Sequence, residues 1–386
     1  MARGAAIEPP RALSGRGWRA RWRAFRARTV ADPRFQRWAA GFPLTRRIAR
    51  ANTRALFDLC AGFTYSQTLF ACLRLDLFAL LAEGPLPAGT LAGRMGLAPE
   101  AALRLLRAAT ALDLILALPD ETFALADLGA ALIGNPAIGR MVEHHALLYE
   151  DLRDPVALLR GEAGPTRLSG YWPYAGGDGR GLAADSVAPY SGLMAASQAL
   201  IAEDILEAYP LGRHRCLLDV GGGEGAFLAA AGRAAPALDL MLFDLPAVAA
   251  RAEAHLTAEG LGGRVRTVGG SFVRDALPAG ADVLSLVRVV HDHDDAAVRI
   301  ILRAAHAALA SNGTLIVAEP MSGTRDAAPI TDAYFGLYLL AMGSGRCRTV
   351  PELTALLREA GFTRIREAPT RRPLLTRVLV SSKSDS

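Results

Sequence analysis

The stretch LLDVGGGEGAF, residues 217–227, decides the fold. Its apolar start, LLDV, leads directly into Gly221, Gly223 and Gly225, and an alanine-rich helical pattern follows at once. A strand, a glycine loop and a helix in this order let the backbone approach a ligand closely at a helix N-terminus. A dinucleotide site uses G-x-G-x-x-G and binds a pyrophosphate, whereas Glu224 adds a carboxylate to this loop. The loop therefore predicts a ligand without phosphate groups.

A seven-stranded sheet is predicted around this loop. The pattern predicts strands near residues 216–220, 239–244, 265–269, 282–290, 313–319, 362–367 and 374–381. Helical patterns separate most of these strands, and such alternation indicates a parallel, doubly wound α/β sheet. Only a short connection separates the last two strands, which predicts an antiparallel hairpin at one edge. We therefore expect a Rossmann-like domain over residues 201–386.

The preceding segment has helical patterning. Short helices interrupted at Gly84-Pro85 and Gly96, a longer helix, and a hairpin-like segment near residues 118–123 indicate a winged-helix-like domain. We expect this domain to serve dimerisation and to line the substrate site. The predicted organisation is a basic arm at residues 1–54, the winged-helix-like domain at residues 55–200 and the Rossmann-like domain at residues 201–386.

The charge of the chain is unevenly distributed. Residues 1–54 contain fourteen arginines against Glu8 and Asp32, whereas the rest of the chain has 29 basic and 36 acidic residues. Residues 56–135 hold four arginines against eight acids. Because phosphate contacts supply most nonspecific DNA affinity, this net negative balance argues against a nucleic-acid partner.

The arm combines its arginines with aromatic side chains. Trp18, Trp22 and Phe25 recur at i, i+4 and i+7, which places them on one face of a helix. Such a helix binds anionic lipid through its apolar face and gains roughly 1 kcal/mol per Arg near the surface. Two interpretations stay open, a peripheral membrane contact through residues 1–54 and a solvated basic tail.

The remaining composition indicates a cytoplasmic protein. No stretch reaches the ~18 consecutive apolar residues that a bilayer span needs, and the N-terminus lacks the apolar core of a secretory signal. The four cysteines are widely spaced and form no C-x-x-C pair, so we expect neither a disulfide framework nor a zinc site. Peripheral attachment to the inner membrane is the alternative location.

Asp244 is a candidate ligand-binding residue. It ends the strand LMLFD, 23 residues after Gly221, where a carboxylate can accept hydrogen bonds from both hydroxyls of a ribose. The alternative is a glycine turn followed by an Asp that only caps a helix.

Five segments together resemble a known family. DVGGGEG, FDLP, VGGSF, VVHDHDD and LIVAEP, in this order and spacing, are similar to small-molecule O-methyltransferases of the caffeic-acid and acetylserotonin type. The resemblance covers roughly residues 55–386. It implies the cofactor S-adenosyl-L-methionine with its product S-adenosyl-L-homocysteine, no metal ion, and a homodimer formed through the N-terminal domain.

The same resemblance implies which residues bind the cofactor. Ser271 stands where many relatives have Asp, so the contact to the adenine amino group departs from the family pattern. The implied set is Asp219, Gly221, Gly223, Gly225, Asp244, Leu245, Gly270, Ser271, Phe272 and Arg288.

His291 is the candidate general base. It matches the histidine of the family's H-D-W motif, with His293 in place of the Trp, and Glu319 matches the acid that orients it. An imidazole with a pKa near 6.5 accepts a proton at cellular pH but cannot ionise an aliphatic alcohol beforehand, so proton transfer must accompany attack. Two alternatives stay open. His291 is either a packing residue or part of a metal cluster at residues 291–295, which the opposite orientation of neighbouring strand side chains disfavours.

Cys347 marks a departure from the plant relatives. Many of them place a second orienting acid at this position, so the sequence leaves one carboxylate for His291. We therefore expect an acceptor hydroxyl that is less acidic than a phenol, or a different pocket.

The acceptor pocket is predicted to be apolar. Its candidate residues are Met194, Tyr334, Tyr338 and Met342, although ordinary core packing explains the same helical pattern. The arm and the segments FDLCAGFTYSQTLFACLRLDLF and YEDLRDPVALLRG resemble the carotenoid O-methyltransferases of purple phototrophic bacteria. That resemblance implies a hydrophobic small-molecule substrate, an acyclic carotenoid such as hydroxyneurosporene or demethylspheroidene methylated at its tertiary 1-hydroxyl, and a photosynthetic membrane for peripheral attachment.

Two further functions are weighed against this one. The first keeps methyl transfer to oxygen or carbon but changes the acceptor to a phenol, a polyketide or a bacteriochlorophyll precursor. The second is a non-enzymatic winged-helix regulator, which the acidic balance of residues 56–135 and the presence of His291 and Glu319 disfavour.

Overall fold

The computed structural model describes residues 17–171 and 198–384. Its largest element is a seven-stranded sheet in the order β6-β5-β4-β7-β8-β10-β9. The strands of this sheet are β4 (Cys216–Val220), β5 (Asp239–Asp244), β6 (Val265–Gly269), β7 (Val283–Val287), β8 (Thr314–Glu319), β9 (Phe362–Ala368) and β10 (Arg377–Lys383). A smaller sheet has the order β1-β3-β2, with β1 (Leu86–Pro87), β2 (Ile115–Leu118) and β3 (Thr122–Leu125).

Helices flank both sheets. The first ten are α1 (Trp18–Ala31), α2 (Pro33–Gly41), α3 (Arg46–Arg74), α4 (Leu77–Ala82), α5 (Ala88–Met95), α6 (Pro99–Ala111), α7 (Asp127–Gly134), α8 (Pro136–Asp151), α9 (Pro155–Leu159) and α10 (Arg167–Tyr171). The described part of α11 covers residues 198–208. It is followed by α12 (Ala226–Ala234), α13 (Pro246–Ala258), α14 (Asp295–Ala308), α15 (Phe335–Met342) and α16 (Val350–Glu359).

The predicted α/β class is confirmed. β4, β5, β6, β7 and β8 pair in parallel, and β10 pairs antiparallel with both β8 and β9, which makes the expected edge hairpin. The central strands β7 and β8 are buried at every position because helices cover both faces of the sheet. This explains why their sequences, VLSLV and TLIVAE, are almost continuously apolar.

One strand ends earlier than the sequence predicts. The strand expected at residues 282–290 stops at Val287, since Arg288 has a φ of +57° and Val290–Asp292 form a 3₁₀ turn. The apolar run VRVV gives no local signal for this ending. The amides of Val289 and Val290 instead donate to Glu319, so a partner on β8 fixes the turn.

The described chain divides into two compact units. One comprises residues 1–77 and 86–124, and the other comprises residues 78–85 and 125–386. The first contains α1–α3, α5, α6 and nearly all of the small sheet, while the second contains the large sheet and α7–α16. The winged-helix-like architecture and the boundaries predicted at residues 54 and 200 stay predictions. No described helix is both long enough and apolar enough to cross a membrane.

Candidate active site

The parallel strands bring the candidate residues to one edge of the sheet. Because β4, β5, β7 and β8 run in the same direction, the residues that follow or end them lie at the carboxyl edge, where open α/β sheets bind ligands. Gly221 follows β4, Asp244 ends β5, Arg288 follows β7 and Glu319 ends β8. Residues that are up to 98 positions apart thus face a common site.

The glycine loop adopts a conformation that only glycine tolerates at low cost. Gly221, Gly223 and Gly225 have φ values of +70°, +58° and +82°. A Cβ atom on Gly221 would lie 2.7 Å from Cγ2 of Val289, and one on Gly225 would lie 2.7 Å from Cδ1 of Leu256. At Gly223 no described atom lies within 4 Å of that position, so the loop borders open space there.

Asp244 lies beside this loop at the end of β5. Its Oδ2 accepts a hydrogen bond of 2.8 Å from the Gly223 amide, and its Oδ1 accepts one of 2.7 Å from the Leu245 amide. Burial raises the pKa of Asp244 to about 6, although both amide hydrogen bonds act to lower it. Each carboxylate oxygen keeps a second lone pair, so the geometry fits a ligand that offers hydroxyl donors, as a ribose does.

Asp219 is a second buried acid beside the loop. The Ser285 hydroxyl donates to its Oδ1 at 2.6 Å, whereas its Oδ2 has no hydrogen-bond partner within residues 17–171 and 198–384. Burial raises the pKa of Asp219 to about 7. Two buried carboxyl groups around a glycine loop disfavour phosphate and fit a cationic, phosphate-free cofactor such as S-adenosylmethionine, which carries a sulfonium and an ammonium group.

Glu224 does not act as the sequence suggests. Its carboxylate pairs with the guanidinium of Arg251 on α13, with Nε at 3.0 Å from Oε1 and a second, shorter contact from Nη2. The charge that was expected to repel phosphate is therefore largely compensated. The buried carboxyl groups of Asp219 and Asp244, and not Glu224, therefore disfavour a phosphate ligand.

The segment after β6 lies against the loop. The Phe272 ring is 3.7 Å from the position of a Cβ on Gly221, and its edge contacts the His293 ring with centroids 5.2 Å apart. The Ser271 amide donates to Oδ2 of Asp275 at 2.8 Å. Gly270 packs closely as well, since a Cβ there would lie 2.7 Å from the Phe243 ring.

His291 and Glu319 form a buried pair. Nδ1 of His291 is hydrogen-bonded to Oε2 of Glu319, and Oε1 of the same carboxylate accepts the amides of Val289 at 3.1 Å and Val290 at 2.7 Å. With Nδ1 donating to a carboxylate, the neutral imidazole keeps its lone pair on Nε2. The structure thus brings together the predicted base and its predicted partner.

Asp292 supplies a second carboxylate that the sequence did not predict. Its Oδ1 lies 3.1 Å from Nε2 of His291 but is not aligned for a hydrogen bond with any described residue. Burial alone would lower the pKa of His291, but the charges of Asp292 and Glu319 and the hydrogen bond to Glu319 outweigh it, so the pKa is raised. Burial also raises the pKa of Asp292 to about 6.

The expectation of a single carboxylate at His291 is therefore corrected. Cys347 brings no charge to this site, because burial raises the pKa of its thiol to about 12. The second acid comes from Asp292, the next residue along the chain. Among the described residues no group of three or more metal-ligating side chains occurs.

Two residues that the sequence did not single out fix the His291 turn. The Arg348 side chain, 2% exposed, donates to the carbonyl oxygens of Val290 and His293 and to Oδ1 of Asp295. Gly345 has a φ of +89°, and a Cβ on it would lie 2.2 Å from the His291 carbonyl oxygen. No local sequence signal identifies either residue, since one is an arginine among many and the other a glycine in a loop.

A cavity opens beside His291. Its lining residues are Met141, Arg288, His291, Asp292, Tyr334, Phe335 and Tyr338. The predicted pocket residues Tyr334 and Tyr338 thus line this cavity. Met342 does not line it and is packed into a core cluster with Leu148 and Leu168, to which Tyr338 also belongs. Met194 lies outside the described residues. Arg288, predicted to bind cofactor, also lines this cavity.

Two histidines behind the cavity were missed by the sequence analysis. Nε2 of His144 is 2.7 Å from the Tyr338 hydroxyl, and Nε2 of His145 is 2.8 Å from the Tyr334 hydroxyl. Both histidines lie on α8, far from every motif in sequence. Only the packing of α8 against α15 and the preceding turn joins them to the site.

Comparison with known families gives two matches. Residues 149–363 match the O-methyltransferase domain, and residues 57–135 match the O-methyltransferase dimerisation domain. The first match covers the glycine loop, Asp244, His291 and Glu319.

Individual relatives give the same result. The chain is 47% identical to the demethylspheroidene O-methyltransferase of Cereibacter sphaeroides, over 90% of this chain and 91% of that protein. It is 40% identical to the enzyme of the same description from Rhodobacter capsulatus, over 88% and 85%. The structure of human N-acetylserotonin methyltransferase in complex with SAM superposes with a TM-score of 0.72 at 23% identity, covering 86% of this chain and 98% of that one.

Proposed function

Because the chain belongs to the S-adenosylmethionine-dependent O-methyltransferase family, we propose that it methylates the tertiary 1-hydroxyl of an acyclic carotenoid of the hydroxyneurosporene or demethylspheroidene type. The observation that carries the proposal is the buried His291–Glu319 pair at a cavity whose wall away from the polar groups is formed by Met141, Tyr334, Phe335 and Tyr338. The 47% identity to a demethylspheroidene O-methyltransferase supports this acceptor class.

In the proposed reaction His291 is the general base. S-adenosylmethionine, when bound, supplies an electrophilic methyl group on sulfur. Nε2 of His291 would take the proton of the acceptor hydroxyl as that oxygen receives the methyl group from sulfur. Because a tertiary alcohol is far less acidic than an imidazolium, these events must be concerted. Glu319 holds Nδ1, fixes the tautomer and stabilises the imidazolium that results.

The cofactor is proposed to lie along the carboxyl edge of the sheet. Asp244 would accept the ribose hydroxyls, and the open side of Gly223 would admit the ligand against the loop backbone. Asp219 would face the cationic part through its unpaired Oδ2. Leu245, Gly270, Ser271, Phe272 and Arg288 complete the proposed cofactor-binding set.

A substrate panel tests the acceptor. Purified protein with radiolabelled S-adenosylmethionine should transfer methyl groups to hydroxyneurosporene and demethylspheroidene in detergent micelles, and none to neurosporene, which lacks the hydroxyl. A phenol, a polyketide and a bacteriochlorophyll precursor are run in parallel. Transfer to one of these and not to the carotenoid alcohols would replace the proposed acceptor while keeping the family.

We also propose a homodimer through the N-terminal unit. The match to the dimerisation domain begins at Phe57, on a helix, α3, that exposes a row of large apolar side chains. These are Ile48, Leu56, Phe57, Leu59 and Phe63. Light scattering should give twice the chain mass, and Leu59→Glu with Phe63→Glu should halve it. An unchanged mass in that variant would move the interface elsewhere.

The arm is proposed to contact anionic membrane. Trp18, Trp22 and Phe25 on α1 are exposed, with Trp18 at 72%, and residues 17–54 carry eleven arginines against Asp32. Exposed aromatic side chains among arginines suit the interface of a bilayer. The protein should sediment with phosphatidylglycerol vesicles at low salt. Replacing all three aromatic residues by Ala should weaken sedimentation with the vesicles, whereas Ile300→Ala, at an exposed residue outside the arm, should not. Equal sedimentation of the two variants would contradict the membrane contact and favour a solvated tail.

A further inference from the structure

Two tyrosines of the acceptor cavity have their hydroxyl groups tied to histidines. Tyr334 and Tyr338 line the cavity, and their partners His145 and His144 are not among the lining residues. The two hydrogen bonds are short, at 2.8 and 2.7 Å, and they run from the cavity wall towards α8. Each hydroxyl group thus has a hydrogen-bond partner that does not line the cavity, and the Tyr334 hydroxyl also lies 3.8 Å from Sδ of the lining residue Met141.

We propose that His144 and His145 hold the Tyr338 and Tyr334 hydroxyl groups away from the acceptor, so that the pocket wall presents carbon to a hydrocarbon chain. This proposal rests on the proposed function, and it identifies the residues that would make the pocket favour an apolar acceptor. His144 and His145 are positioning residues in this role, because they act through the tyrosines and do not themselves line the cavity.

The polarity of the cavity agrees with this role. Its polar groups, Arg288, His291 and Asp292, belong to the chain segment that follows β7. Met141, Phe335 and the two tyrosines form the remaining wall. An alcohol at the end of a hydrocarbon needs a polar site for its oxygen and carbon surface elsewhere. A tyrosine hydroxyl turned towards the hydrocarbon would find no partner there, and burying an unpaired hydroxyl is unfavourable.

The charge states of His144, His145 and Tyr334 also agree with this role. Burial lowers the pKa of His144 to about 4 and lowers that of His145, so both rings are neutral at cellular pH. Burial raises the pKa of Tyr334, so its hydroxyl stays protonated. The Tyr334–His145 pair is therefore a neutral hydrogen bond, and the imidazole of His144 adds no charge beside it.

The experiment is a double-mutant cycle on each pair. His145→Leu removes the strong partner of the Tyr334 hydroxyl and leaves it only the weak sulfur acceptor of Met141, so kcat/KM for the carotenoid alcohol should fall roughly tenfold. Tyr334→Phe keeps the ring that lines the cavity and removes the hydroxyl together with its need for a partner, so it should lose clearly less kcat/KM than His145→Leu. The double variant joins two apolar side chains and should recover to a similar level. His144→Leu and Tyr338→Phe provide an independent repeat of the cycle.

One outcome overturns the proposal. If Tyr334→Phe and Tyr338→Phe lose as much activity as the histidine variants, and the double variants do not recover, the hydroxyl groups act on the acceptor directly. Thermal unfolding midpoints of all variants show whether each one is folded before its kinetics are compared.

A binding measurement separates this proposal from the proposed function. Dissociation constants for a short acyclic tertiary terpenoid alcohol, measured with S-adenosylhomocysteine present, need no turnover. If the parent protein methylates no carotenoid but the variants keep the same order of binding affinity, the proposed acceptor is wrong and the proposed role of His144 and His145 is retained. If the parent protein methylates carotenoids and all variants bind the terpenoid alcohol with the same affinity, the proposed role of His144 and His145 is wrong.

Discussion

Nη1 of Arg348 donates a hydrogen bond of 2.9 Å to the carbonyl oxygen of Val290, the residue before the candidate base. The same buried guanidinium reaches the His293 carbonyl at 2.8 Å and Oδ1 of Asp295 at 2.9 Å. It therefore spans the whole turn that carries His291. The carboxylate of Glu319 holds this turn through other atoms, the amides of Val289 and Val290 and Nδ1 of His291. The base is thus fixed through both its backbone and its ring.

Replacing Arg348 should disturb that turn. Arg348→Met removes the hydrogen bonds to the Val290 and His293 carbonyl groups and one of the two arginine partners of Asp295. Loss of a donor to a buried acceptor costs about 1 to 3 kcal/mol of unfolding free energy. Arg346→Met is the matched control, because Arg346 pairs with the same Asp295 but its side chain is 45% exposed, and such pairs contribute about 0 to 1 kcal/mol. Denaturant unfolding measures both. Equal losses would contradict the role of Arg348.

His291→Ala should abolish most turnover. General-base catalysis typically contributes about 10² to 10⁴-fold, so kcat should fall within that range. Because His291 is not in the proposed cofactor set, calorimetry should show nearly unchanged S-adenosylmethionine affinity. The neighbouring His293→Ala is the control for loss of an imidazole. Near-normal turnover of His291→Ala would remove it as the base.

The pH dependence of kcat/KM should depend on the two carboxylates beside His291, those of Asp292 and Glu319. A base acts only when deprotonated, so kcat/KM should rise with pH through the His291 pKa, which the structure places above its ordinary value. Asp292→Asn removes one of the charges that raise this pKa, so the rising limb should move to lower pH. Ser344→Ala, which loses only a hydrogen bond to the Asp292 carbonyl, should leave the limb in place. A limb that does not move in Asp292→Asn would exclude this electrostatic coupling.

Gly345 should not tolerate a side chain. Gly345→Ala combines a φ of +89° with a Cβ placed 2.2 Å from the His291 carbonyl oxygen, so the turn must shift. Gly343→Ala has a similar φ of +95°, but its nearest atom, Cβ of Ser169, is 3.9 Å away. Backbone strain of about 1 to 3 kcal/mol is common to both. Only Gly345→Ala should also lower kcat at least tenfold, and comparable kinetics in the two variants would refute the contact.

Asp244→Asn should weaken cofactor binding. Hydrogen bonds to a charged group contribute about 1.5 to 3 kcal/mol, so the dissociation constant of S-adenosylmethionine should rise roughly 10- to 100-fold. Asp239→Asn, at the exposed start of the same strand, is the control. Isothermal titration measures both constants. An unchanged affinity in Asp244→Asn would show that the carboxylate only caps the backbone of Gly223 and Leu245.

The sequence predicted the large sheet closely because its signals are local. Strands β4, β5 and β6 have the predicted bounds, since each is a short segment of five or six residues that a turn or helix signal follows. The last strand begins at Arg377, three residues later than predicted, because Thr376 belongs to a turn closed by its amide donating to the Arg372 carbonyl. The pattern of apolar residues in this segment does not predict that hydrogen bond.

The surroundings of His291 could be predicted only in part. Motif spacing indicated Glu319, but it also suggested a strand through Val290 and a single carboxylate. Asp292 was read as a neighbour pointing away, which holds for a strand and fails in a 3₁₀ turn, where the backbone curls and both side chains reach the same site. The error in secondary structure and the missed acid therefore have one cause.

By itself, the sequence determined the α/β class and the glycine loop, which follow from the hydrophobic period and from the backbone freedom of glycine. Its resemblance to a family supplied the candidate base His291 and its candidate partner Glu319. Tertiary structure decided which groups surround the base. Arg348 and the two histidines of α8 act through hydrogen bonds of 2.7 to 2.9 Å to distant segments of the chain, and such contacts depend on packing that no local pattern encodes. Asp292 reaches its neighbour His291 because a 3₁₀ turn replaces the expected strand.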